Sequence, residues 1–342
     1  MVASDASFLE VLAGGLLTTI QDRGRFDHRD EGVPVAGACD PIGLAVANLI
    51  IGNAPAAAAL ECTILGPELL VLADGIVGLG GADLGAMLQP GARPVLPGSA
   101  KGVRAGDRIV FGERPLGAGC RAYLAVPGGI DVPVVLGSRS TSLVGAFGGL
   151  DGRPLRSGDR LARNDAGSRG SVGRGVSWKG PHTPRAFAAP IRVLPGPALT
   201  VPGSESRSAA AFLTTTWRVA AASDRRGLRL DGPPIRSNLD SAAPSHGVLP
   251  GTIQVTPSGQ PLVLLNDAGT TGGYPVIGVV IAADLWRLGQ ARPGATLQFE
   301  ATTNSLARAA ALELRDWLAT RAERLAARSG DAWDDLADDA GG

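Results

Sequence analysis

Residues 104–109 read Arg-Ala-Gly-Asp-Arg-Ile, residues 156–161 read Arg-Ser-Gly-Asp-Arg-Leu, and residues 292–297 give a looser third copy, Arg-Pro-Gly-Ala-Thr-Leu. Each is a glycine turn that launches a strand, as in a β-barrel or sandwich. Outward from these turns, Leu69-Leu70-Val71-Leu72, Ile76-Val77-Gly78-Leu79, Ile109-Val110-Phe111 and Tyr123-Leu124-Ala125-Val126 are short apolar runs bounded by Gly, Pro or Asp. Leu16-Leu17-Thr18-Thr19-Ile20 reads as a first strand. The composition agrees: 49 glycines and 25 prolines in 342 residues, with only 4% aromatics, favour many strands joined by tight turns. The expected class is mainly β with short helices, in two β-rich subdomains.

Helices are few. Pro41 follows Asp40 at a helix start, and Leu44, Val46, Ala47, Leu49 and Ile50 form a short apolar helix closed by Gly52-Asn53. A second helical piece is expected over Ala56–Ala59. From Asn304 to Arg328, Leu306, Ala310, Leu312, Leu314, Trp317, Leu318 and Leu325 recur at near-helical spacing among arginines. The expected organisation is an N-terminal β-rich subdomain over 1–165, a linker or long loop over 166–190, a second β-rich subdomain over 191–302, a C-terminal helix over 303–330 and an acidic tail over 331–342.

Charge excludes several functions. Lys plus Arg and Asp plus Glu both number 32, so a strongly basic nucleic-acid surface is not expected. The only lysines are Lys101 and Lys179, and neither sits in a GxxxxGK phosphate loop. Cys39, Cys62 and Cys120 lack CxxC or CxxH spacing, and His28, His182 and His246 are scattered, so neither a disulfide framework nor a metal site is expected. No signal peptide is expected, since residues 1–7 carry Asp5 and no basic stretch, and no apolar run reaches the roughly 18 residues a membrane span needs. A cytoplasmic protein without membrane contact is the expectation.

Chemistry is concentrated in polar clusters within glycine-rich turns. The densest is Asn266-Asp267-Ala268-Gly269-Thr270-Thr271-Gly272-Gly273-Tyr274-Pro275, between the strands Leu262–Leu265 and Val276–Ile281. Such a loop suits a small amide or carboxylate, and reads equally as a decorated hairpin turn. Ser138-Arg139-Ser140-Thr141 offers one arginine and three hydroxyls to an anion, or pairs its arginine with a carboxylate of the chain. In Ser223-Asp224-Arg225-Arg226-Gly227-Leu228-Arg229-Leu230 a structural ion pair is the commoner reading. Gln21-Asp22-Arg23 and Cys39-Asp40 complete the set, with Cys39 read as a small buried thiol.

These segments together resemble the biotin-dependent carboxyltransferase family, which includes the C subunits of 5-oxoprolinases, KipA and allophanate hydrolase subunit 2. The resemblance rests on Thr18-Thr19-Ile20-Gln21-Asp22-Arg23-Gly24-Arg25, Gly32-Val33-Pro34, Gly37-Ala38-Cys39-Asp40, Ala47–Asn53, Ala59-Leu60-Glu61-Cys62-Thr63, Gly81-Ala82-Asp83-Leu84, Arg121–Val126 and Leu136–Thr141. In the second half it continues through Ser223–Leu230, Gly251-Thr252-Ile253-Gln254-Val255 and Thr270–Pro275. Three features depart from the family pattern. Ala268-Gly269 stand where many relatives carry Arg-Gln, Cys39 stands where Met or another apolar residue is usual, and the terminal helix is not a shared part.

The resemblance implies a cyclophilin-like β-barrel as one of the two subdomains. It implies a KipI-like B subunit as partner and, in 5-oxoprolinase systems, a LamB/YcsF-like A subunit; that complex hydrolyses 5-oxoproline to glutamate with ATP. A urea-degrading carboxyltransferase that uses biotin, or a non-catalytic KipA-like regulator, are the alternatives. In the leading reading Asp40, Asp267, Thr271 and Tyr274 are catalytic candidates. Arg23, Arg139, Ser140, Thr141, Arg225 and Gln254 are substrate-binding candidates, and no metal is expected.

Overall fold

The computed structural model describes residues 7–112, 119–164, 184–196, 210–235 and 245–328. Most of the linker expected over 166–190, the acidic tail, Lys179 and His182 lie outside these residues. The described residues form two compact units. Unit 1 falls within Met1–Gly24, Pro41–Thr183 and Leu318–Gly342, and unit 2 within Arg25–Asp40 and Pro184–Trp317. Residues 25–40, early in the chain, therefore belong to unit 2.

Unit 1 carries strands β1 (Ser7–Ala13), β2 (Leu17–Gln21), β3 (Ala59–Thr63), β4 (Glu68–Val71), β5 (Gly75–Gly81), β6 (Ala86–Gln89), β7 (Arg93–Pro94), β8 (Ser99–Val103), β9 (Arg108–Phe111), β10 (Arg121–Ala125), β11 (Ile130–Asp131) and β12 (Arg160–Arg163), with helix α1 (Pro41–Leu49). Ala59 opens a strand, so the second helical piece expected over Ala56–Ala59 is not formed; strand pairing of Ala59 with Gln21 takes its place. The strands make a seven-stranded sheet, β11-β12-β1-β4-β9-β6-β7, and a five-stranded one, β2-β3-β10-β5-β8. Leu9, Val11, Leu69 and Ile109 from the first share one core with Ile20, Leu60, Leu79 and Leu124 from the second. The two sheets are therefore packed face to face as a sandwich.

The outer face of the five-stranded sheet is made for α1. A Cβ at Gly80 would lie 2.1 Å from the Gly43 carbonyl oxygen, and one at Gly78 2.3 Å from that of Ala47. Only glycine allows backbone to meet backbone this closely. In register with Gly80 across neighbouring strands stand Tyr123, Glu61 and Thr19. This face is thus polar but buried, and the Tyr123 hydroxyl donates to Glu61 at 2.8 Å.

The repeated turns share one construction. Gly106, Gly158 and Gly294 have φ of 93°, 87° and 83°, the left-handed region that glycine enters without strain. Their N–H groups donate to Val71, Val11 and Val219 respectively. In the two full copies the next aspartate caps the turn: Asp107 accepts from the Arg104 N–H at 2.9 Å and Asp159 from that of Arg156 at 2.7 Å.

Unit 2 carries β13 (Ile191–Pro195), β14 (Trp217–Val219), β15 (Gly227–Asp231), β16 (His246–Gly247), β17 (Thr252–Val255), β18 (Pro261–Leu264), β19 (Thr271–Gly272), β20 (Val276–Val280), β21 (Thr296–Leu297) and β22 (Phe299–Ala301). Its helices include α2 (Pro184–Ala188), α3 (Leu285–Gln290) and α4 (Asn304–Arg328), the last crossing into unit 1 at Leu318. Eight strands form one sheet in the order β21-β14-β15-β18-β17-β20-β13-β22. Its two edges, β21 and β22, are separated in the chain by Gln298 alone, so the sheet curls round until its edges nearly meet. Gln298 bonds to both sides: its carbonyl accepts from Ile191 N–H at 2.7 Å and its side chain donates to Thr216 at 2.9 Å. The barrel expectation is met by this nearly closed sheet. Three aromatics pack inside it, with Phe212 and Phe299 ring centres 4.5 Å apart and Trp217 donating to the Phe212 carbonyl at 3.0 Å.

The C-terminal helix is present over nearly its expected length. Its docked stripe is narrower than the spacing suggested: Ala307, Ala310 and Leu314 pack against Ile281 and Ala283, while Leu306 and Leu312 stay exposed. Among the described residues no helix is long and apolar enough to cross a membrane.

This packing has two measurable consequences. Gly80→Ala forces a methyl group into the α1 backbone and should cost about 1–3 kcal/mol in urea unfolding, whereas Gly102→Ala, which meets nothing within 4 Å, should be near neutral. Arg153 donates to both Asp159 oxygens at 2.8 and 2.9 Å, and these bonds hold that carboxyl below the usual carboxylate range. Its stabilisation is complete above the unfolded value of about 4 and is lost as pH falls through the lower folded value. Asp159→Asn should therefore be less stable than the parent at pH 7, with the difference shrinking towards pH 2–3.

Candidate functional site

The Ser138–Thr141 cluster, on the segment between β11 and β12, closes around Asp22, which follows β2. The Asp22 carboxylate accepts from Ser138 Oγ at 2.6 Å, Ser140 Oγ at 2.5 Å, the Arg139 N–H at 2.6 Å and the Gly24 N–H at 2.8 Å. Four donors saturate this carboxylate, so it is an organiser rather than a base. The Ser140 hydroxyl is committed to Asp22. Thr141 is buried and bonds Ile20 through both its N–H and its hydroxyl. Arg139 differs: its Nε donates to the Val132 carbonyl at 3.0 Å, but its side chain is 32% exposed, 3.7 Å from Asp131. Arg23 is exposed. Asp22 was in view in the sequence as part of Gln21-Asp22-Arg23, but only the fold shows it to be the hub.

The other candidates fall in unit 2. Arg225, in the turn before β15, and Asp267, just after β18, form a bidentate pair with both N···O distances at 3.0 Å and both side chains 2% exposed. The same guanidinium donates to the Gly37 carbonyl at 2.8 Å and to Cys39 Sγ at 3.3 Å. Asn266 donates to the Ala38 carbonyl at 3.0 Å, and the Ala36 N–H donates back to the Asn266 carbonyl at 2.9 Å. On α3, Gln290 Nε2 reaches Asp40 Oδ2 at 2.7 Å, and Gly289 approaches so closely that a Cβ would meet the Cys39 carbonyl oxygen at 2.1 Å. The strap 36–40 is thereby clamped by three elements, and Asp40 is fully buried.

Thr271 and Tyr274 are exposed, on the far limb of the same loop. Thr271 and Gly272 pair with Gly247 and His246 in a two-stranded ribbon, β16 with β19. Gln254, on β17, is 4% exposed, and its Nε2 has no hydrogen-bond partner. The structure thus gathers Asp40, Arg225 and Asp267 into one buried clamp and sets Thr271 and Tyr274 at the surface. Arg23, Arg139, Ser140 and Thr141 belong to unit 1. Cys39, Cys62 and Cys120 are buried with no disulfide, and burial pushes the Cys62 thiol up, out of nucleophile range. Among the described residues no group of His, Cys, Asp or Glu could hold a metal ion.

A buried pair of this kind is sensitive to loss of either partner. Arg225→Met should cost about 3–5 kcal/mol, because it leaves a buried carboxylate without its cation, and the double variant Arg225→Met with Asp267→Leu should recover part of that loss. Urea unfolding of the three proteins checks this.

Residues 31–301 match the family model described as carboxyltransferase domain, subdomain A and B. The chain is 40% identical over 291 residues to the 5-oxoprolinase C subunit of Escherichia coli, covering 85% of this chain and 90% of that protein. It is 34% identical over 318 residues to the urea amidolyase of Lachancea kluyveri, covering 87% of this chain and 17% of that protein. The crystal structure of the Kluyveromyces lactis urea carboxylase superposes with a TM-score of 0.78 at 30% identity, covering 94% of this chain and 30% of that one. The chain belongs to the carboxyltransferase-domain family with subdomains A and B.

Proposed function

We infer that the chain is the C subunit of a cytoplasmic ATP-dependent 5-oxoprolinase, acting with a KipI-like B subunit and a LamB/YcsF-like A subunit to hydrolyse 5-oxoproline to glutamate. The observation that carries this reading is reciprocal coverage. The match to the E. coli 5-oxoprolinase C subunit takes in most of both proteins, whereas the match to the L. kluyveri urea amidolyase is to 17% of a much longer chain.

Among the described residues no lysine sits in a glycine loop of the kind that cradles a nucleotide's phosphates. Lys101 lies within β8, paired in register with Val77, and not in a glycine loop leading to a helix. The N-terminus of α1 follows Asp40, whose negative charge opposes a phosphate. Nor is Lys101, fixed in a sheet, a suitable site for attached biotin. ATP and biotin are proposed to be held by other subunits or chains.

This chain's part is to hold and orient the lactam while water adds across its C–N bond. Thr271 and Tyr274, exposed hydroxyls on one glycine-rich loop, are the proposed contacts to the ring amide, together with Gln254. Arg225 and Asp267 neutralise each other and act by positioning that loop. Asp40, buried and bonded to Gln290, is proposed to position as well. In unit 1, Asp22, Ser140 and Thr141 shape the turn that presents Arg139, and Arg139 and Arg23 are proposed contacts for an anionic group.

The test is co-expression with the adjacent genes, followed by assay of ATP-dependent glutamate release from 5-oxoproline, with urea and biotin as controls. Turnover by the complex and none by the chain alone is expected. Bicarbonate- and biotin-dependent carboxylation of urea would overturn the reading in favour of the urea pathway. A stable complex that turns over neither substrate would favour a KipA-like regulator.

A further inference from the structure

Arg29 is a cation of unit 2 that the buried clamp does not use. It sits in the turn 28–33, where the Gly32 N–H donates to the Arg29 carbonyl and the Val33 N–H to that of His28, both at 3.1 Å. Its guanidinium reaches across to the ribbon and donates through one terminal nitrogen to the Val248 carbonyl. Val248 is buried with Leu264 and Ala268, and its own N–H donates to the Thr270 carbonyl at 2.9 Å. The guanidinium is thus anchored one strand spacing from Thr270. The next residue, Thr271, begins the limb that leads to the exposed Tyr274 phenol.

The charge on that side chain is unmatched. Among the described residues no carboxylate pairs with Arg29: of its acidic neighbours, Glu31 takes His28 at 3.2 Å, and Asp27 and Asp30 are exposed. Arg29 is only partly exposed, and burial lowers its pKa with no carboxylate to raise it back, whereas Asp159 raises that of Arg153 and Asp284 that of Arg192. The arginines before β15 are committed, Arg225 to Asp267 and Arg226 to Asp224 at 2.9 Å, and Asn266–Pro275 contains no Arg or Lys of its own. A partly desolvated cation is most stable with a counter-charge, and the donors of a planar guanidinium match the two oxygens of a carboxylate. One cation flanked in sequence by acids at 27, 30 and 31 suits a monoanion better than a phosphate dianion.

We propose that Arg29 is the carboxylate receptor of unit 2: one N–H anchors it on Val248, and the rest of its guanidinium binds the carboxylate of a small monoanion lying against the Thr271–Tyr274 limb. The receptor makes negative charge a condition of binding, a specificity that the exposed hydroxyls of the loop do not supply, and it sets an anionic ligand apart from a neutral one such as urea. Naming the carboxylate as that of 5-oxoproline rests on the function proposed above; the receptor itself does not. Arg23 and Arg139 belong to unit 1 and play no part in this assignment.

The experiment measures binding to the full chain, and to the co-expressed complex, by calorimetry with four probes. 5-Oxoproline has the lactam and the carboxylate, pyrrolidin-2-one the lactam alone, and cyclopentanecarboxylate the carboxylate on a ring without the lactam; inorganic phosphate tests the dianion. Saturable binding of the two carboxylates is expected, with pyrrolidin-2-one at least tenfold weaker than 5-oxoproline and phosphate weaker than cyclopentanecarboxylate. Arg29→Gln, which removes the charge and keeps an amide donor, should weaken both carboxylates at least tenfold and leave pyrrolidin-2-one unchanged. Arg29→Lys, which keeps the charge without the planar fork, should lose less, and Arg226→Gln should bind as the parent does. Melting temperatures check that the variants fold. The proposal is overturned if a folded Arg29→Gln binds the carboxylates as the parent does, if pyrrolidin-2-one binds as tightly as 5-oxoproline, if phosphate binds more tightly than cyclopentanecarboxylate, or if neither chain nor complex binds a carboxylate probe. Turnover of 5-oxoproline with an unchanged KM in Arg29→Gln sinks the receptor and leaves the oxoprolinase reading standing. Binding of cyclopentanecarboxylate that depends on Arg29, in a complex inert toward 5-oxoproline, does the reverse.

Discussion

The buried pair of Arg225 and Asp267 ties unit 2 together. One guanidinium ties together three stretches far apart in sequence: the turn before β15, the loop after β18, and the strap 36–40. Two charges at 2% exposure are tolerable because each is matched by the other, and the guanidinium by the Gly37 carbonyl as well. With the near limb of the Asn266–Pro275 loop fixed, the far limb is free to present Thr271, Gly272 and Tyr274. In unit 2, Arg225 and Asp267 are thus paired with each other, and Thr271 and Tyr274 are the exposed hydroxyls of the same loop.

Unit 1 applies the same logic with an unpaired carboxylate. Asp22 receives four donors from two segments more than a hundred residues apart in sequence, and this orders the turn that carries Arg139. The glycines of β5 play a comparable part on a larger scale. They let α1 lie directly on the sheet and seal a face that carries Glu61 and Tyr123 away from water.

Much of the fold was legible because its signals are local. The Arg-x-Gly-Asp turns require a left-handed residue followed by a capping carboxylate, and both full copies build that geometry. Short apolar runs between turn residues became β4, β5, β9 and β10. What could not be read depends on long-range partners. Ala56–Ala59 looked helical by composition, but pairing with β2 makes Ala59 a strand residue. Residues 25–40 carry no local mark of belonging to unit 2; Arg225, Asn266 and Gln290 decide that. The polar clusters are visible in the sequence, yet sequence does not tell a saturated hydroxyl such as Ser140 from an exposed one such as Thr271. Gln254 stood out in sequence only through its neighbourhood in Gly-Thr-Ile-Gln-Val, and its orphaned donor is visible only once β17 is buried.

The central claim is that this chain helps water open a lactam. It is tested most directly by running the co-expressed complex with ATP and 5-oxoproline in ¹⁸O-enriched water and examining the product by mass spectrometry. Glutamate carrying ¹⁸O in its side-chain carboxylate is the predicted result. No glutamate, or glutamate without ¹⁸O in its side-chain carboxylate, would contradict it.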